Sequence, residues 1–277
     1  MFQRIRSVCW LAPVMLFAAV EEKQTTQKSF PAAKRIEVEN VNGWIRVAGY
    51  DGREVQVTVQ ETLSGDSKEK LEQARKEVKL DISTPQEGTL RLYVDGPFRC
   101  KCRDGSVNFH GRDEGYTFRH EFEIKAPRDA AIYLRNINGG AIKVENMAGD
   151  YDVENINGGV EMIETAGSGR AYSLNGGLKV LFRSNPKAQS YFGSLNGRVD
   201  LYFQPDLAAD LRMKTFNGSI YSDFMVTPLA ARAATAERHD GKLVYRADRF
   251  TNGRVGNGGP EIKLDGFNGD IRILKRQ

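Results

Sequence analysis

Three stretches decide how this chain is read: Leu134-Arg135-Asn136-Ile137-Asn138-Gly139, Val153-Glu154-Asn155-Ile156-Asn157-Gly158 and Ala171-Tyr172-Ser173-Leu174-Asn175-Gly176. The Asn-Gly dipeptide also stands at Asn42, Asn196, Asn217, Asn252, Asn257 and Asn268. From Asn138 to Asn217 the steps are 19, 18, 21 and 21 residues, a period near 20 that marks a repeat architecture. The residue before the repeated Asn is apolar (Val41, Ile137, Ile156, Leu174, Leu195, Phe216, Phe267). Two before it stands a small or short polar residue (Asn40, Asn136, Asn155, Ser173, Ser194, Thr215, Gly266). Each repeat thus holds two strand-sized runs alternating with period 2 about a tight turn, where Gly supplies a positive φ. In the Asn138 copy the apolar slots move by one residue, to Ile142 and Val144, as an extra residue near Gly140 in a bulge would require.

Two architectures accommodate this pattern. Asn-Gly between alternating runs is a hairpin signal and fits an antiparallel meander. A single-stranded β-solenoid (β-helix) with coils of about 20 residues fits better, because stacked coils put the same Asn above itself and let the amides form a ladder. The expected fold is therefore all-β. The first copy, Ile36–Val47, matches the last, Ile262–Ile273, so the solenoid domain is placed at 34–274 with insertions at about 60–120 and 225–258. In the first insertion Val55, Val57 and Val59 alternate as a strand. Asp66 with Glu69 has capping-box spacing, and Leu71, Ala74 and Val78 share a helical face. That predicts one helix near residues 67–79, an insertion or cap over a sheet edge. In the second insertion Thr227-Pro228 and the Ala-rich run to Glu237 suit a helix start.

Residues 1–20 carry Arg4 and Arg6 ahead of a 13-residue apolar run, Val8–Val20. As a helix the run would cover about 20 Å at 1.5 Å per residue, short of a ~30 Å hydrocarbon core, so it reads as a secretory signal peptide followed by a linker at 21–33. The expected location is exported: periplasm, cell envelope or extracellular space. With residues 1–20 set aside the net charge falls from +4 to +2, too balanced to argue for a nucleic-acid partner. A composition 40% hydrophobic and 27% charged excludes a disordered tail and a multi-span membrane protein.

The run Glu121–Pro127 leading into the Asn138 rung, the further Asn-Gly rungs, and Gly256–Ile262 ahead of the final Phe267-Asn268-Gly269 together resemble the bacterial putative-adhesin family of exported β-solenoids, a domain of unknown function. The resemblance covers about residues 34–274 and implies a single exported or envelope-associated domain. It transfers no catalytic residues.

Candidate chemistry is sparse. Cys100, Cys102, His110 and His120 carry metal-ligand types, but C-x-C-x₇-H-x₉-H is not a common zinc spacing. A local Cys100–Cys102 disulfide and free thiols remain alternatives. His239 has no neighbour in sequence to partner it and reads as a solvated loop residue. Glu37/Glu39 and Asp152/Glu154 have the spacing of one strand face, where acids are usually solvated rather than a catalytic pair. Tyr151, Tyr172, Tyr191, Tyr202 and Tyr221 are candidates for stacking on sugars or for the core. No catalytic, cofactor-binding or metal residue is assigned, and no cofactor is expected. The leading expectation is a non-catalytic envelope scaffold or adhesion/interaction module, partnered by an envelope protein or glycan, with membrane association left open. A β-helical polysaccharide-processing enzyme and an envelope-stress sensor with a membrane partner are the alternatives.

Overall fold

A computed structural model describes residues 20–101, 107–109, 114–232, 235–240, 242–246 and 249–277. The expected signal peptide, apart from Val20, lies outside them. β1 (Val20–Pro31), β2 (Arg35–Glu39), β3 (Ile45–Tyr50) and β4 (Glu54–Gly65) precede helix α1 (Lys68–Glu77). β5 (Lys79–Ser83), β6 (Thr89–Asp95), β7 (Arg99–Lys101), β8 (Val107–Phe109) and β9 (Tyr116–Pro127) follow. The repeats supply β10 (Ala131–Asn136), β11 (Ile142–Glu145), β12 (Tyr151–Asn157), β13 (Val160–Thr165), β14 (Gly169–Asn175) and β15 (Leu178–Phe182). They continue as β16 (Ser190–Asn196), β17 (Val199–Phe203), β18 (Ala209–Lys214) and β19 (Ile220–Ser222). Last come β20 (Val226–Pro228), β21 (Thr235–His239), β22 (Lys242–Arg246), β23 (Thr251–Val255), β24 (Glu261–Asn268) and β25 (Ile271–Lys275).

The all-β expectation holds, but the single-stranded solenoid is corrected. The strands form two large mixed sheets, sandwich-like, of ten and eleven strands. The ten-stranded sheet runs β1-β4-β9-β3-β11-β13-β15-β17-β25-β19, and the eleven-stranded sheet runs β20-β23-β18-β24-β16-β14-β12-β10-β2-β6-β5. Both are parallel through the centre; the ten-stranded sheet turns antiparallel only at its β1/β4/β9 end, and the eleven-stranded sheet at both ends, β5/β6 and β18/β23/β20. Spatial order also departs from chain order: the last repeat, β24–β25, lies between β16–β17 and β18–β19.

Within the parallel centres the repeat sets the register. Leu134, Val153, Ala171, Phe192, Leu264 and Met213 face one another strand by strand and point into the space between the sheets. Ala171 stands beside Phe192, whose ring meets Phe182 edge-on at 5.7 Å, and Phe182 stacks on Phe203 at 4.8 Å. Emptying the Phe192 site would cost about 3–5 kcal/mol.

The Asn-Gly corner carries two polar columns. Outside, each Asn amide donates to the Asn carbonyl of the adjacent strand: Asn157 to Asn138 (2.6 Å), Asn175 to Asn157 (2.9 Å), Asn196 to Asn175 (2.8 Å), Asn268 to Asn196 (2.7 Å) and Asn217 to Asn268 (2.8 Å). Inside, the short polar residue two before the Asn is buried in the copies with Asn40, Asn136, Asn155, Ser173 and Ser194, half-buried at Thr215 and replaced by Gly266 in the last copy. Asn155 Nδ2 donates to the carbonyls of Gly140 (2.9 Å) and Gly159 (3.0 Å), and Ser173 Oγ donates to Gly158 (2.8 Å). A buried carbonyl without a donor is costly, which explains why that position is polar in every copy but the one with Gly266. The apolar residue between the columns points outward. Ile137, Ile156, Leu174 and Leu195 are half-buried, while Phe267 and Phe216 are exposed.

Three local expectations change. Residues 21–33, read as a linker, supply most of β1, which pairs antiparallel with β4 along its length. The helix forms one residue inside the expected start, capped by Ser67, whose side chain accepts from the Lys70 N–H. Its Leu71 and Ala74 are buried against the β1–β4–β9 extension rather than over the repeats. In the second insertion the described residues form the strands β20 to β23, not a helix.

Candidate functional site

The Cys/His set does not assemble among the described residues. Cys100 lies in β7, its backbone opposite Asn108, while Cys102 and His110 lie outside the described residues. His120 is fully buried on β9. Its Nε2 meets Glu61 Oε1 at 2.9 Å, and its carbonyl accepts from Asn40 Nδ2 at 2.9 Å. It sits between Phe118 and Phe122 in an apolar period-2 run and ties β9 to β4 and to the first Asn-Gly corner. No group of three or more His, Cys, Asp or Glu side chains close enough for a metal occurs among the described residues. His239 ends strand β21 rather than lying in a loop.

The acids and two of the tyrosines come together on the outer face of the eleven-stranded sheet. Strand alternation sends every second residue outward, and parallel register lines them up across eight strands. One row reads Arg91, Glu37, Tyr133, Asp152, Arg170, Tyr191, Lys263, Arg212. The second reads Tyr93, Glu39, Arg135, Glu154, Tyr172, Gly193, Asp265, Lys214. At about 4.8 Å per strand these rows extend for about 34 Å.

Each acid of the expected pairs has an arginine partner: Glu37 with Arg35 (2.6 Å), Glu39 with Arg91 (3.0 Å), Asp152 with Arg135 (2.9 Å) and Glu154 with Arg170 (2.6 Å). Cations also lie over the rings, with Arg135 4.1 Å from the Tyr133 centroid, Arg99 4.2 Å and Arg91 4.4 Å from Tyr93, and Arg170 5.1 Å from Tyr172. Lys263 Nζ stands 5.4 Å from Tyr191 and 4.8 Å from Phe250. The Tyr172 and Tyr191 rings lie 6.4 Å apart over Gly193. A Cβ on Gly193 would fall 3.0 Å from the Tyr191 hydroxyl, 3.1 Å from the Tyr172 ring and 2.7 Å from the Asp265 carbonyl, so only glycine leaves room for both rings. Burial, reinforced by Asp265, pushes the Tyr191 phenol up to about 12, so it stays a neutral donor at ordinary pH.

The remaining tyrosines separate. Tyr151 is buried in the core, Tyr202 lies on the outer face of the ten-stranded sheet, and Tyr221 is exposed on β19. Sequence reasoning missed Tyr93, Tyr133, Phe250 and Gly193. Their signal was the outward phase of the strands, readable once Val38, Leu134, Val153 and Ala171 mark the inward one. Chemically the face offers flat aromatic surface with fixed donors and acceptors beside it, the equipment of a binding surface. No helix among the described residues is long and apolar enough to cross a membrane.

No family model matches the chain, and no curated protein matches it. Solved structures do. A putative cell adhesion protein from Clostridium sporogenes is 12% identical, with 94% of this chain and 100% of that one covered and a TM-score of 0.40. A putative adhesin from Bacteroides fragilis is 13% identical over 92% of this chain and 97% of that one, TM-score 0.30. A putative lipid binding protein from Parabacteroides distasonis is 10% identical over 92% and 97%, TM-score 0.27. Solved structures similar to this chain are thus described as putative adhesins, the family that the sequence resembles.

Proposed function

We propose that this chain is an exported, non-catalytic interaction module of the cell envelope that binds a surface glycan across the outer face of the eleven-stranded sheet. One observation carries the reading: two in-register rows in which Tyr93, Tyr133, Tyr172 and Tyr191 stand among ion-paired acids and cations. Tyrosine rings supply apolar area for the C–H faces of sugars, and the flanking Arg, Lys, Glu and Asp groups supply hydrogen bonds to hydroxyls. The same rows argue against turnover, since each acid of the expected pairs is engaged by an arginine rather than facing a reacting atom. Export rests on the Arg4/Arg6 n-region and the apolar run behind it.

The test pairs two screens of the protein purified from its exporting host. On immobilised glycans and envelope proteins it should bind glycans, and a polysaccharide, ester and peptide hydrolysis panel should show no turnover. Binding confined to proteins would replace the glycan. Turnover abolished by a point change in either outer row would overturn the non-catalytic reading. N-terminal sequencing of the same material should begin near residues 19–22; an intact Met1 on cytoplasmic protein would contradict export.

A further inference from the structure

The outer rows of the eleven-stranded sheet carry their charge unevenly. On β2 and β12 the acids Glu37, Glu39, Asp152 and Glu154 are each held by an arginine. On β24 and β18 the same two rows hold three cations, Lys263, Arg212 and Lys214, against the single acid Asp265. The three cations converge on one half-buried ring. Arg212 Cζ lies 4.6 Å, Lys263 Nζ 4.8 Å and Lys214 Nζ 5.0 Å from the Phe250 centroid.

The carboxylates around this cluster are committed elsewhere. Asp265 takes Lys214 at 3.0 Å. Glu261 lies 3.8 Å from Arg212 and also pairs with Arg232. Asp210, the one acid of β18, is held by Arg254 at 2.7 Å. Lys263 has no carboxylate within ion-pair distance among the described residues; its ammonium meets the ring faces of Phe250 and, at 5.4 Å, Tyr191. Like charges drawn around one ring repel one another, and Lys263 is half-buried, where salt screens less than on open surface. An anion settling beside Lys263 relieves that repulsion.

We propose that the glycan of this face is acidic, with a uronate carboxylate taken by Lys263 while its pyranose ring lies on Tyr191 and Tyr172. The inference rests on the glycan reading above and adds the charge of the sugar. Tyr191, Lys263 and Arg212 are consecutive in one row, so the ammonium stands about one strand spacing, ~4.8 Å, from the stacking ring. A carboxylate fixed directly on the pyranose ring suits that spacing. The Tyr191 and Tyr172 rings, 6.4 Å apart over Gly193, form the platform on the side away from Arg212. One unpaired ammonium among paired cations is too little for a polyphosphate backbone, which is met by a track of unpaired cations.

Isothermal titration of the purified protein with polygalacturonate, and with the same polymer after its carboxyl groups are reduced, separates charge from sugar shape. The acidic polymer should bind about 10-fold or more tightly than the reduced one. That preference should shrink as NaCl is raised from about 50 to about 500 mM. Lys263→Gln should bring the two polymers to within about 2-fold of each other, and Lys263→Arg should keep the preference. Lys179→Gln, on the outer face of the ten-stranded sheet, should leave it unchanged, and thermal melts of all three variants should match the wild type. Equal affinity for the two polymers, a preference that survives Lys263→Gln, or dextran sulfate bound as tightly as polygalacturonate and indifferent to Lys263→Gln would each overturn the proposal. Binding of the reduced polymer alone, lost in Tyr172→Ala/Tyr191→Ala, would overturn it and leave the glycan reading standing. Absence of binding to any glycan would overturn both.

Discussion

The outer faces of the two sheets are built by the same repeat and yet differ in kind. On the ten-stranded sheet the matching row runs Glu123, Arg46, Lys143, Glu161, Lys179, Asp200, Arg272, Tyr221, with Lys179 3.2 Å and Lys143 3.8 Å from Glu161. The neighbouring row carries Ile163, Leu181, Tyr202 and Leu274, a single aromatic among aliphatics. On the eleven-stranded sheet four tyrosines stand in the rows, most with a cation over the ring. Surface ion pairs contribute little to stability, so the charges do not separate the two faces energetically. What distinguishes the faces is how the aromatics are set, four tyrosines within the rows of one against Tyr202 and the edge residue Tyr221 in those of the other, and the proposed glycan site rests on that difference.

The comparison breaks most severely at Gly193. Gly193→Val drives a branched side chain into the two tyrosine rings and the Asp265 carbonyl. We expect a loss of about 2–3 kcal/mol in urea unfolding, together with loss of glycan binding. On the opposite face Leu181→Val, at a half-exposed outward position, should cost less than about 1 kcal/mol.

A second substitution strikes what the faces share. Asn155→Ala removes the two buried hydrogen bonds from its amide to the carbonyls of Gly140 and Gly159, which keep only Asn136 Nδ2 and the Ile142 N–H as donors, a cost of about 1–3 kcal/mol. Asn157→Ala removes two exposed ladder hydrogen bonds and should cost about 0.5–1 kcal/mol. Thermal melts of the two variants give the ranking. If the outer column mattered more than the inner one, the reading of the corner would be reversed.

Much of this was legible in the residues. The period near 20, the Asn ladder and the helix near Leu71–Ala74 follow from spacing alone, because the same residue recurs at the same place in each copy and the helix shows its own apolar face. Strand order does not. The Asn268 copy has the same pattern as its neighbours, so nothing local tells it to insert between the Asn196 and Asn217 copies rather than follow the latter. β1 was missed because the polar run Glu21–Lys28 carries no alternation, as expected of an edge strand largely exposed to water. His120 showed its place in the run Phe118-His120-Phe122, whose period 2 marks one strand face, but its metal-ligand chemistry drew attention away from it. The tyrosine rows needed register, which pairs residues from different repeats.

The smallest effect concerns pH. The Tyr191 phenol is pushed up to about 12, chiefly by burial, against an ordinary value of 10 in the unfolded chain. Above pH 10 the unfolded chain loses this proton while the folded one keeps it. The contribution is therefore complete below pH 10 and is lost as the pH rises toward 12. Unfolding free energy should fall across that window, and less so in Tyr191→Phe. Tyr151, buried and raised in the same direction, should account for part of what remains.

The most direct test is a calorimetric titration with the tightest glycan from the array, comparing the Tyr172→Ala/Tyr191→Ala double variant with Tyr202→Ala. Loss of binding by about 30-fold or more in the double variant, with Tyr202→Ala within about 2-fold of wild type, is the predicted result, at about 1–2 kcal/mol per ring. Equal losses from both faces, or a double variant that binds as tightly as wild type, would contradict it.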